Sequence, residues 1–263
     1  MRNFIKASFI IFLAFSFSLF EPTATGANGW GYKKNTDHQV PDIGEYKELL
    51  EKYGAYYVDD SGAKTIYITF DNGYEQGYTE EILDVLKKES VPATFFVTGH
   101  YVKSEPDLIK RMVEEGHIIG NHSYHHPDFT ILTKDAIQKE LETLEAAVAD
   151  ISDQKEIKFL RPPRGLFNEK TLQWANELGL VHVFWSLAFI DWNVAEQKGS
   201  DYAFEQIMAQ VHPGAIVLLH AVSSDNAEAL ERTIQELKKQ GYSFRSLDDL
   251  LIKKSLPKGF YDF

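Results

Sequence analysis

Hydrophobic positions along this chain fall in short runs that alternate between two periods. Residues 65–70 (Thr-Ile-Tyr-Ile-Thr-Phe) are all β-branched or aromatic, which reads as a buried strand. Residues 78–88 then place Ile82, Leu83, Val85 and Leu86 on one face of a helix. The alternation continues. Strands are expected at 93–97, 117–120, 157–160, 181–185, 215–219 and 242–244, and helices at 106–115, 133–151, 168–178, 202–211, 226–240 and 247–253. Repeated strand–helix units imply an α/β fold with a parallel sheet and outer helices. About seven units in one domain point to a distorted or incomplete (β/α) barrel over residues 64–263. An open doubly wound sheet is the alternative, but no Gly-rich phosphate loop is present.

Ahead of the barrel, residues 28–63 read as an extension. Tyr46, Leu49, Leu50 and Tyr53 have helical spacing. Residues 55–58 are expected to form a hairpin with the 65–70 strand across Asp59-Asp60-Ser61-Gly62. Residues 1–27 look unlike fold. Arg2 and Lys6 precede an apolar run over 7–20, and small residues follow at Ala24, Thr25, Gly26 and Ala27. That is the layout of a signal peptide, and the run is short for a membrane span. The expected product is extracytoplasmic, with no stable membrane insertion after leader removal; an uncleaved membrane anchor is the alternative.

Composition narrows the chemistry. There is no cysteine, which removes thiol catalysis, thiolate metal sites and disulfides. The formal charge is −12, and residues 1–27 contribute +1 (Arg2, Lys6, Glu21), leaving −13. An acidic surface argues against nucleic acid and anionic lipid as partners. It is compatible with a cell-wall glycan.

The ionisable residues gather where such barrels carry their chemistry, at the carboxyl ends of strands. Asp71-Asn72-Gly73 follows the first strand, His122 and His126 the third, and Arg161-Pro162-Pro163-Arg164-Gly165 the fourth. Asp191-Trp192 lies beyond the fifth, and Leu218-Leu219-His220 ends the sixth. Each has an ordinary alternative: Asn-Gly as a turn, Arg161 as a surface cation, His220 as a core histidine, Asp191 as a helix cap. Their meeting on one rim favours a joint function. His122 and His126 are four apart, so a helical turn would stack two imidazoles within reach of one metal ion.

These residues resemble the polysaccharide deacetylases of the NodB-homology type, carbohydrate esterase family 4. The likeness rests on Thr69-Phe70-Asp71-Asn72-Gly73, His122-Ser123-Tyr124-His125-His126, Arg161 to Gly165, Asp191-Trp192 and Leu218-Leu219-His220, in that order. Trp30-Gly31-Tyr32 and Asn72 look most like the branch that acts on muramic acid in spore-cortex peptidoglycan, toward muramic δ-lactam. The resemblance implies hydrolysis of a sugar N-acetyl amide, with release of acetate. It makes Asp71 the general base, oriented by Arg161, and His220 the general acid, held by Asp191. It implies a divalent ion, zinc or a similar first-row metal, on His122, His126 and Asn72.

Two positions depart from the family pattern. Asn72 stands where an Asp ligand is usual, so the ion is expected to be weakly held. Ala188 stands where another Asp is usual, and with Arg164 it leaves room for a lactyl or peptide carboxylate. Tyr124, Trp192, Leu218 and Pro163 complete the candidate contacts to the peptidoglycan glycan strand. Other polymers remain open: N-acetylglucosamine in peptidoglycan, chitin oligomers or acetylated xylan. So does a wall-binding protein without catalysis.

Overall fold

The structure, a computed structural model, describes residues 26–34 and 36–256. The leader expected over residues 1–27 lies outside them but for its last two residues. Nine strands occur among the described residues: β1 (Asn28–Gly29), β2 (Thr65–Asn72), β3 (Ala93–Val97), β4 (Ile118–Asn121), β5 (Phe159–Leu160), β6 (Leu166–Phe167), β7 (Val181–His182), β8 (Ile216–His220) and β9 (Ser243–Phe244). The helices are α1 (Tyr46–Lys52), α2 (Thr79–Glu89), α3 (Gly99–Ser104), α4 (Pro106–Glu114), α5 (Lys134–Ile151), α6 (Glu169–Glu177), α7 (Ser200–Gln210), α8 (Ser224–Lys239) and α9 (Leu247–Ser255).

The main sheet is parallel and runs β7-β5-β4-β3-β2-β8, with β9 also pairing β2. Six strands curl into an incomplete barrel. Every residue of β2 and β3 is buried, as expected of strands covered on both faces. The helices cover the outside with one apolar face each. In α2, Ile82, Leu83, Val85 and Leu86 are buried, while Glu80, Glu81, Lys87 and Lys88 serve the two ends. Side-chain caps mark where helices begin. Thr133 accepts from Ala136 N at α5, and Asn168 and Thr171 form a capping box at α6.

The extension packs against this barrel. Trp30 stacks on Phe184 with ring centroids 4.5 Å apart, and its backbone N–H donates to Gly165 O at 2.9 Å. The Tyr32 hydroxyl accepts from Ala188 N at 2.7 Å. The expected hairpin does not form. Tyr56 bridges Val183 and Val58 bridges Ala215, each singly. Residues 55–58 therefore join distant barrel segments instead of folding back on β2. The described residues contain no helix long and apolar enough to cross a membrane.

Candidate active site

β2 and β8 are neighbours in register, and Asp71 pairs directly with His220. Residues opposite each other on adjacent strands point to the same face, about 4.8 Å apart. The two groups expected to move protons therefore stand side by side. Leu218, two residues before His220, shares that face. Asn72 follows Asp71 and is the last residue of the strand.

Arg161 reaches Asp71 from the end of β5. Its side chain is fully buried and donates to Asp71 Oδ1 at 2.7 Å and to Val183 O at 3.0 Å. The guanidinium also lies 4.2 Å over the Phe96 ring. Burial alone favours the neutral acid at Asp71. The Arg161 guanidinium, with smaller help from the imidazoles of His122 and His220, outweighs it and holds the carboxyl below the usual carboxylate range. Because Oδ1 is taken by Arg161, Oδ2 is the free acceptor, 3.6 Å from His122 Nε2.

His220 has a second carboxylate behind it. Its Nδ1 lies 2.7 Å from Asp191 Oδ1, and its backbone N–H donates to Asp191 Oδ2 at 2.8 Å. Burial disfavours the imidazolium, but the Asp191 carboxylate, aided by Asp71, raises the His220 pKa above its ordinary value. With Nδ1–H committed to Asp191, Nε2 is left for chemistry. Asn226, in the first turn of α8, donates to Asp191 Oδ2 at 2.6 Å and to His220 O at 3.1 Å. The sequence marks Asn226 only as a helix start; its bond to Asp191 depends on the loop that brings residue 191 to α8.

His122 and His126 meet, though not by a helical turn. The segment after β4 is irregular, with Ser123 at φ 64° and His126 at φ 58°. Left-handed backbone at two non-glycine residues is uncommon and typical of sites. The Nε2 atoms are 3.2 Å apart. Two nitrogens bound at ~2.1 Å to one tetrahedral ion would lie about 3.4 Å apart. His122 Nδ1 lies 2.8 Å from the Arg161 carbonyl, so Nδ1 carries the proton and Nε2 a lone pair. Burial pushes the His122 pKa down, and burial with the His122 charge pushes His126 to about 4. Both rings are thus neutral at pH 7, as ligands must be.

The pair fits a metal ion, and Asn72 is the residue expected at the third position. Asn72 is fully buried, neither side-chain atom has a hydrogen-bond partner, and it does not line the cleft. Among the described residues no three His, Asp or Glu side chains are arranged around a common ion position.

These residues open into a cleft of about 890 Å³. Asp71, His122, His126 and His220 lie in its wall, together with Tyr124, Arg164, Trp192 and Leu218. Trp192 is 51% exposed, with its ring 5.7 Å from that of His220, so it is a cleft aromatic and not core. Arg164 is exposed at φ 58°, at the tip of the turn Pro163–Gly165. Pro163, expected among the sugar contacts, is buried in that turn and stands outside the lining. Gly165 there has φ +66°, and a Cβ would come within 3.0 Å of the Trp185 ring and 3.2 Å of Trp30. Sequence reasoning missed α3, which adds His100 and Lys103 to the wall.

Comparison with known proteins identifies the family. The family profile of polysaccharide deacetylases matches residues 59–183. The chain is 55% identical over 228 residues to the peptidoglycan-N-acetylmuramic acid deacetylase PdaA of Bacillus subtilis, covering 86% of this chain and 87% of that one. The solved structure of that protein, a family 4 carbohydrate esterase, superposes with a TM-score of 0.86 over 88% of this chain and 99% of that one. A family 4 carbohydrate esterase from Bacillus anthracis, 48% identical, gives 0.73 over 87% of this chain and 97% of the other. By sequence and by fold, the chain belongs to the polysaccharide deacetylase family, carbohydrate esterase family 4.

Proposed function

We propose that this protein removes the N-acetyl group from muramic acid in peptidoglycan glycan strands, on the route to muramic δ-lactam in spore cortex, and acts outside the cytoplasmic membrane. The observation that carries the reading is the pairing of Asp71 and His220 on adjacent strands, each fixed by its own counter-charge. The likeness to PdaA supports the sugar, and Arg164, exposed in the cleft, supports an acidic one.

Amide hydrolysis needs a deprotonated water, a stabilised oxyanion and a protonated leaving nitrogen. Asp71, ionised at neutral pH, takes the water's proton on Oδ2. Arg161 holds the carboxylate in line and keeps it charged. His220 Nε2–H gives its proton to the leaving nitrogen, and Asp191 stabilises that charged form. Leu218 and Trp192 offer an apolar wall for the acetyl methyl. His122 and His126 would hold a divalent ion, which when bound polarises the acetyl carbonyl.

The relay from Asp191 gives a pH signature. His220 is raised by Asp191, so the acid form persists above the ordinary histidine range and is lost as pH climbs through the raised value. Asp191→Asn is expected to move the alkaline limb of the kcat/KM profile about one to two pH units lower. An unmoved alkaline limb would remove His220 from the role of acid.

Asn72 gives a metal signature. Asn72→Asp is expected to tighten zinc binding about tenfold or more in calorimetric titration, because the site gains a charged donor. Equal affinities would mean that residue 72 has no part in holding the ion.

Acetate release tests the activity as a whole. Peptide-free peptidoglycan strands should yield acetate with wild-type protein. Binding of the strands without acetate release would instead make this a wall-binding protein. Arg164→Ala should lose more rate on muramic than on glucosamine substrates; equal losses would exclude Arg164 as the carboxylate reader.

A further inference from the structure

The cleft differs in charge from the rest of the molecule. The chain carries −12, yet Asp71 is the one carboxylate among the described residues that line the cleft, and Arg161 already matches it. The remaining ionised lining is basic. His125 is paired with Glu140 at 2.7 Å, outside the lining. Lys103 and Arg164 have no ion pair or hydrogen bond to a carboxylate among the described residues. Elsewhere on the surface lysines commonly end on acids, as in Lys52–Glu169, Lys88–Glu231 and Lys253–Asp59. Two unmatched cations in the cleft of an acidic protein favour an anionic ligand there.

Lys103 is set in place by its neighbours. α3 starts at Thr98, whose hydroxyl accepts from Tyr101 N and donates to Gly73 O at 3.1 Å, tying the helix to the end of β2. The Tyr124 ring is seated on Gly99, where a Cβ would come within 2.3 Å of Cδ2, and Gly99 N donates to Tyr124 O at 3.0 Å. The Lys103 ammonium lies 5.2 Å from the centre of that ring. It is held by a ring face, which leaves its N–H donors to water or ligand. In the sheet, β4 lies between β3 and β5. Lys103 follows β3, Arg164 follows β5, and the His122–His126 segment follows β4 between them. The two cations therefore flank the histidine pair.

We infer that Lys103, with Tyr124 as its platform, is a second carboxylate-reading position of this cleft, on the α3 side of the histidine pair and opposite Arg164. It takes a carboxylate of the acidic glycan strand, and this rests on the muramic acid reading above. The strand is gripped by charge on both sides of the amide that is cut, and a neutral glycan loses both contacts.

The test compares kcat/KM on peptide-free peptidoglycan strands with kcat/KM on the same strands after methyl esterification of their carboxylates. Wild type should prefer the native strands. Lys103→Gln should cut that preference about fivefold, Lys103→Glu should cut it further, and Lys103→Arg should keep most of it. A preference unchanged in both Lys103→Gln and Lys103→Glu, in a wild type that does discriminate, overturns the role of Lys103 alone. A wild type indifferent to esterification overturns Lys103 and the acidic-sugar reading together.

Discussion

Asp71→Asn is expected to lower kcat by about 10³-fold, with the fold intact and KM little changed. The substitution keeps the shape of the side chain and its contact with Arg161 but removes the acceptor of the water's proton. Wild-type Asp71 is held ionised chiefly by Arg161 against the effect of burial. An amide cannot serve as that base at any pH. The fully buried Arg161 would then lack its counter-charge, so some loss of stability should accompany the loss of rate. Circular dichroism and a thermal melt at the assay temperature separate the two effects. A variant that is folded and retains a tenth of the wild-type kcat would take the role of base away from Asp71.

Arg161→Met should damage both stability and rate. Arg161 has no solvent exposure, and its bonds to Asp71, Val183 O and Phe184 O cross from β5 to β2 and to the segment after β7. Deleting one partner of a buried ion pair strands the other, at a cost of about 3–5 kcal/mol. The sign with pH follows from Asp71. Its folded pKa is depressed, so its contribution to stability is present above the ordinary value of 3.8 and is lost as pH falls through the lower folded value. Without Arg161 the carboxyl pKa rises, and the penalty of a buried charge grows with pH. The variant should therefore lie closer to wild-type stability at about pH 4 than at about pH 7. The double variant Asp71→Asn/Arg161→Met should recover part of the loss, because no charge is left stranded. A single variant as stable as wild type at neutral pH would show that the pair is not the rigid element assumed for it.

The frame of the molecule was readable because its strands are buried on both faces and its helices on one. Runs such as Ile66-Tyr67-Ile68 and spacings such as Ile82-Leu83-Leu86 carry those two conditions directly. Asp71, Arg161 and His220 were readable for a related reason: each ends or follows a strand, and a parallel sheet gathers strand ends on one rim. The histidine pair was found through a spacing argument that does not describe it. Ser123 and His126 adopt left-handed backbone, and nothing in the residue types demands that. Asn72 stands at the ligand position by motif alone; its amide is buried with neither atom hydrogen-bonded, which residue type does not foretell. The six-residue helix α3 escaped because it starts at a glycine and is too short to show a period. Residues 55–58 were extended as read, but their partners Val183 and Ala215 are far along the chain, where local pattern has no reach. Asn226 was invisible as a positioning residue because its bond to Asp191 spans 35 residues.

In the proposed reaction the paired carboxylate and imidazole of β2 and β8 act on the acetamido group of muramic acid. Mass spectrometry of muropeptides and oligosaccharides, released from cortex-type peptidoglycan after incubation with the protein, tests it most directly. The expected result is loss of acetyl from muramic acid residues, none from glucosamine residues, and almost none from either with Asp71→Asn. Acetyl loss from glucosamine with muramic acid untouched, or equal loss with the Asp71 variant, would contradict it.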